Sequence, residues 1–155
     1  MNVQLIVADH AAVAEGKLFI NGGGWNSVNL MQIPSPIGFS VALIIAVPWG
    51  QAEQNHTLSV ELQGPRGDLM ALGADQVGDP VTEIRGNFSV GRPPHVVPGE
   101  DIVIPVALAL ATNIMEAGPY RLVVLIDDIP EADWNIRVQE TPPTYQVVVP
   151  PQQQN

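Results

Sequence analysis

The sequence predicts an all-β fold, an immunoglobulin-like antiparallel β-sandwich of two sheets, and three observations carry that prediction. Fifteen prolines and fourteen glycines fall between short apolar runs along 155 residues, a spacing of breakers that suits many short strands. No stretch shows sustained helical periodicity, and short strands joined by Pro and Gly turns point to a sandwich or a barrel. Gly118-Pro119-Tyr120 opens a strand with a Gly-x-Tyr, which can set the Tyr120 hydroxyl against upstream backbone at the corner between two sheets.

Ten candidate strands follow in order, one or two more than a sandwich of this size needs. Val3 to Ala8 is apolar and ends at Asp9, where a helical turn over Ala8 to Glu15 or an Asx-type closure by the Asp9 carboxylate is expected. Lys17 to Asn21 leads into Gly22-Gly23-Gly24, read as a bend that lets Trp25 fold into the core at the head of Trp25 to Leu30. Phe39 to Val47 precedes a turn at Pro48-Trp49-Gly50. Thr57 to Gln63 alternates cleanly, with Leu58, Val60 and Leu62 on one face and Thr57, Ser59 and Glu61 on the other. The Gly64-Pro65-Arg66-Gly67-Asp68 cluster after it closes a hairpin. Glu83 to Val90, Ile102 to Ala109, Tyr120 to Asp127, Trp134 to Gln139 and Tyr145 to Val149 complete the set. Residues 1–149 thus form one sandwich domain, and 150–155, with two prolines and a polar end, a flexible C-terminal tail.

Two strands lack a wet face. Phe39, Val41, Leu43, Ile45 and Val47 alternate with Ser40, Ala42, Ile44 and Ala46, and Ile102, Ile104, Val106 and Leu108 alternate with Val103, Pro105, Ala107 and Ala109. The outer face of a two-layer sandwich normally carries polar side chains. An uncharged outer face is either covered by the chain's own loops or offered to another protein, and Ile44 and Ala107 are the candidate contact residues. Only 14% of residues are charged, against a usual ~25%, which favours a contact surface. Pro105 has no N–H to give a ladder and belongs at an edge strand or a bulge.

Composition excludes several roles. Six basic and sixteen acidic residues give a net charge of −10 and a pI near 4.4, which repels nucleic-acid phosphates at long range. The apolar runs fall short of the ~18 to 20 residues of a helical membrane span. There is no cysteine, so neither a disulfide framework nor a thiolate site is available. Met1-Asn2-Val3-Gln4 carries no basic n-region, so the expected location is the cytoplasm or a phage particle assembled there.

The segments Leu5 to Trp25, Pro98-Gly99-Glu100 and Ala117-Gly118-Pro119-Tyr120 together resemble an uncharacterised bacterial family of small β-sandwich domains, mostly from actinobacteria. The resemblance implies a fold and brings no activity. It also implies an Asp-Gly hairpin turn at Asp127-Asp128; since Asp128 stands where the family usually has Gly, a longer turn is expected here.

Catalytic signatures are absent: there is no Gly-x-Ser-x-Gly, Ser-x-x-Lys, His-Glu-x-x-His or P-loop, and Lys17 is the only lysine. His10, His56 and His95 lack partners at zinc-ligand spacing and are assigned to the surface or to turns. Asp127, Asp128, Glu131 and Asp133 put four carboxylates into seven residues, a weak calcium candidate without the ligand order of an EF-hand loop. Arg66-Gly67-Asp68 and the two Asn-x-Ser/Thr triplets at Asn55 and Asn87 are read as incidental. Trp49, an amphipathic aromatic in a turn, is a candidate contact residue. The expected role is a noncatalytic protein-interaction or assembly module, self-associating or partner-binding, with no cofactor. A phage decoration protein and a small-molecule or sugar binder are the alternatives.

Overall fold

The computed structural model describes residues 1–141. The expected strand Tyr145 to Val149 and the tail at 150–155 lie outside the described residues. The other nine expected strands are all present: β1 (Asn2–Ala14), β2 (Lys17–Gly23), β3 (Ser27–Leu30), β4 (Ser35–Pro48), β5 (His56–Gln63), β6 (Glu83–Phe88), β7 (Asp101–Ile114), β8 (Gly118–Ile126) and β9 (Ile129–Glu140). They form two open sheets, a four-stranded one in the order β2-β1-β4-β7 and a five-stranded one in the order β3-β9-β8-β5-β6. No helix among the described residues is long and apolar enough to cross a membrane.

Alternation puts one face of each sheet into a shared core. Val3, Leu5 and Val7 of β1, with Phe39, Val41, Leu43, Ile45 and Val47 of β4, pack against Val60 and Leu62 of β5, Leu122 and Val124 of β8, and Ile136 and Val138 of β9. Trp25 meets the ring of Phe39 edge-on with centroids 6.1 Å apart, and its carbonyl accepts the Trp134 Nε1–H at 2.9 Å. Gly22 and Gly24, at φ 60° and 88°, supply the bend ahead of Trp25, and the Gly24 N–H bonds the Val7 carbonyl at 2.8 Å.

Four expectations are corrected. The segment Ala8 to Glu15 makes no helical turn: β1 runs on to Ala14 and reverses through Glu15 and Gly16, both at positive φ, so that Ala14 pairs with Lys17. Asp9 stays in that ladder with its carboxylate over Gly22, where a Cβ would sit 2.8 Å from Asp9 Cγ, and the Asx closure does not form. The β8–β9 connection is not longer either. Asp127 and Asp128 both take positive φ (51° and 64°) in a two-residue turn that pairs Ile126 with Ile129, and the extra residue is absorbed as a bulge beside Val124 and Leu125. The all-antiparallel expectation also fails at one edge, where β3 runs parallel to β9 after the chain crosses from one sheet to the other.

Among the described residues β7 pairs with β4 on one side only, so Pro105 lies in an edge strand, where its missing N–H is tolerated. Tyr120 is fully buried, and its hydroxyl donates to the Glu116 carbonyl at 2.8 Å, the corner closure expected of the Gly-x-Tyr.

Candidate functional site

The two outer faces are built from different residues. Across the five-stranded sheet the outward positions include Glu61 of β5, Glu83 and Arg85 of β6, Arg121 of β8, and Asp133 and Arg137 of β9. Arg85 reaches Asp128 at 2.9 Å and Arg121 reaches Asp133 at 3.2 Å, so this face carries solvated ion pairs around Ser59 and Val123, which are themselves buried.

Across the four-stranded sheet, register lines up four rows without a charge. They are Ala8-Ser40-Ala109, Ile6-Ala42-Ala107, Gln4-Ile44-Pro105 and Asn2-Ala46-Val103, and the first charged side chain is Asp101 at the rim. Ile44 and Ala107 are half-buried neighbours on this surface, and Val103 is 60% exposed. At its centre Ala8, Ser40 and Ala42 are themselves buried, so the accessible part of the face lies toward Ile44, Pro105, Ala107 and Val103.

Trp49 sits in a one-turn 3-10 helix, Trp49–Gln51, beside the β4–β5 connection. Its ring is capped by the Arg92 guanidinium, 5.1 Å from the ring centroid, and Arg92 also pairs with Glu53 at 3.0 Å. One face of the Trp49 ring thus carries the chain's own cation, which pins the loop after β6 to the turn after β4.

The four carboxylates proposed for calcium are drawn to four different partners. Asp127 bonds His56 and the Thr57 N–H, Asp128 pairs with Arg85, Glu131 faces the N-terminal ammonium at 3.5 Å, and Asp133 pairs with Arg121. Among the described residues no group of three His, Asp or Glu side chains is placed to hold a metal ion. The tight turn explains it: Glu131 and Asp133 belong to β9, whose ladder carries them away from Asp127.

His56 is buried, only 5% exposed, and not a surface or turn residue. The missed signal is its parity: it leads the strand in phase with Leu58, Val60 and Leu62, the inward set. Its Nδ1 lies 2.8 Å from Asp127 Oδ2 and its Nε2 lies 2.9 Å from the Gln51 carbonyl. Both partners are acceptors, so the ring is best satisfied when both nitrogens carry protons. Burial works against that charge, but the bonds to Gln51 and Asp127 outweigh it and raise the His56 pKa above its ordinary value. When both nitrogens carry protons the ring is held between Asp127 and the Gln51 carbonyl and clamps the two turns together.

A second surface was not legible in the sequence. Along β7 the two sheets part, leaving an apolar cleft of about 250 Å³ lined by Leu58, Ile84 and Phe88 from the five-stranded sheet and Val106 and Leu108 from β7. Near the end of β7 another cleft, of about 420 Å³, is bordered by Pro36, Met70, Ala111, Thr112 and Met115. The pairing order, which among the described residues puts β6 and β7 each at an edge of its sheet, reveals them.

No curated protein and no solved structure matches this chain. A family model described as a family of unknown function (DUF6941) matches residues 4–139, which takes in every strand of both sheets. The chain belongs to that family of unknown function.

Proposed function

We propose that this protein is a noncatalytic assembly module whose contact surface is the outer face of the four-stranded sheet, with Ile44 and Ala107 at its centre. The observation that carries the reading is the four uncharged rows from Asn2-Ala46-Val103 to Ala8-Ser40-Ala109, set against the charged outer face of the other sheet. A sheet face that meets water normally carries polar side chains, and a continuous apolar one on a soluble domain marks a contact. The favoured occupant is a second copy of the chain, since flat faces of Ala and Ile stack on their own kind through a two-fold axis.

The framework is read as immunoglobulin-like. Supporting this are the neighbours β1-β4-β7 in one sheet and β9-β8-β5 in the other, β3 parallel to the last long strand, and the tyrosine closure at the β7–β8 corner.

Native mass spectrometry of the purified full chain tests the proposal. The expected result is a multiple of the 16.6 kDa chain mass, reverting to single chains in Ile44→Glu and Ala107→Glu, because each would bury an unpaired carboxylate at the interface. A wild-type chain that stays monomeric at high concentration overturns it.

A further inference from the structure

His56 is held between two turns of unequal strength. On one side Asp127 is tied to β5 three times: its Oδ2 lies 2.8 Å from His56 Nδ1, its Oδ1 accepts the Thr57 N–H at 2.9 Å, and its own N–H donates to the Thr57 carbonyl at 2.9 Å. On the other side His56 Nε2 lies 2.9 Å from the Gln51 carbonyl. The internal bonds of that second turn, residues 49–55, are weaker. The Ala52 N–H reaches the Trp49 carbonyl at 3.3 Å, the Gln54 side chain donates to the Gly50 carbonyl from an exposed position, and Glu53 takes a left-handed φ of 63°. Further ties run to the loop after β6, where the Val90 carbonyl accepts the Glu53 N–H at 2.8 Å and Arg92 meets both Glu53 and the Trp49 ring.

A ring with two protons satisfies both acceptors, whereas a neutral ring has one N–H for the two of them. The Asp127 carboxylate is an anion and makes the stronger bond, so the neutral ring keeps its proton on Nδ1 and turns the Nε2 lone pair toward the Gln51 oxygen. We propose that the turn at 49–55 is a pH-sensitive latch, closed on His56 while the ring carries both protons and opening locally, with the β8–β9 turn still in place, when the ring loses one.

The groups around the ring set the direction. The β8–β9 turn brings Asp127, whose neighbour Asp128 is paired with Arg85. From β6 comes the uncharged Phe88 ring, its centroid 5.6 Å away, and the latch itself carries Glu53, paired with Arg92. The N-terminal ammonium, which faces Glu131, opposes the charge on the ring. Burial also opposes it, the bonds to Gln51 and Asp127 favour it, and the balance raises the His56 pKa. The latch is therefore closed at low pH and opens as pH rises through the folded value. Ala52, only 2% exposed, moves with it, and the loop tied to it borders Ile102, Val103 and Ile104 at the rim of the four-stranded sheet.

Native-state amide exchange of the full chain between about pH 6 and pH 9, with small additions of urea, tests this. Protection of the Ala52 and Glu53 amides, corrected for the intrinsic rise of exchange with pH, should fall about fivefold, the worth of one hydrogen bond. That fall should be insensitive to urea, because a local opening exposes little surface. Its midpoint should coincide with the titration of the His56 ring nitrogens, followed by their 15N shifts, and those shifts should place the remaining proton on Nδ1. His56→Gln, which does not titrate, should abolish the pH dependence, and His95→Gln should keep it. The proposal is overturned if these amides exchange only through urea-sensitive unfolding of the whole chain, if their protection does not change as the ring titrates, or if the neutral ring carries its proton on Nε2. The last three readings come from the unmodified protein, so they stand even where His56→Gln fails to fold.

Discussion

At the scale of single residues, His56 and Asp127 couple stability to pH in two separate windows. The folded pKa of His56 is raised, so its contribution is complete below an unfolded value of about 6.5 and is lost as pH rises through the folded value. The Asp127 pKa is lowered, first by the Thr57 N–H and then by His56. Its contribution is present above an unfolded value of about 3.9 and is lost as pH falls through the folded one. Asp127 is about half exposed, so solvent screening reduces the pair to about 1 kcal/mol. Thermal melts should show a maximum between about pH 4 and 6.5 and a decline of a few degrees toward pH 9. His56→Gln should flatten the decline; a variant that keeps the wild-type slope would mean that the His56–Asp127 pair does not set it. Tyr120→Phe removes a single bond, to the Glu116 carbonyl, and should cost about 1 kcal/mol in urea unfolding with the slope unchanged. Tyr120 was legible in the sequence because a local motif carries its role. His56 was not, because its partners Gln51 and Asp127 come from two other turns.

At the scale of elements, apolar runs bounded by breakers marked all nine described strands, but two hairpin turns escaped. Glu15-Gly16 and Asp127-Asp128 each need positive φ at both positions, a state that Gly advertises and that Glu and Asp hide. Asp128 holds this conformation with only an exposed pair to Arg85 in return. Asp128→Gly should therefore stabilise the protein by about 0.5 to 1 kcal/mol, since it relieves the left-handed backbone and forfeits a surface ion pair of small worth. Chemical denaturation of the two proteins checks the sign; a destabilised Gly variant would mean that the Arg85-Asp128-Glu83 cluster anchors the β6 edge. Gly22 tests the opposite case. Its φ of 60° and the crowding by Asp9 Cγ at 2.8 Å predict that Gly22→Ala loosens the β1–β2 hairpin, read as faster amide exchange at Phe19 to Asn21.

At the scale of the whole molecule, the sixteen acidic and six basic residues are not spread evenly over the two sheets. The five-stranded sheet carries its charges outward, while the four-stranded sheet offers rows of Ala, Ile, Ser and Pro. The alternation of Phe39 to Val47 revealed that β4 has two uncharged faces. It did not reveal which face looks out, because that depends on register with β1 and β7 and on the sheet opposite. The same separation sets the salt dependence of assembly. Two chains of charge −10 repel each other over several Debye lengths at low ionic strength, whereas an apolar contact has no ion pair for salt to weaken. Sedimentation velocity from about 20 mM to 500 mM NaCl should thus show the associated fraction rising with salt, as the Debye length shrinks from roughly 20 Å to 4 Å. Dissociation by salt would instead point to a contact through charges such as the Arg121-Asp133 pair, whose attraction salt can screen.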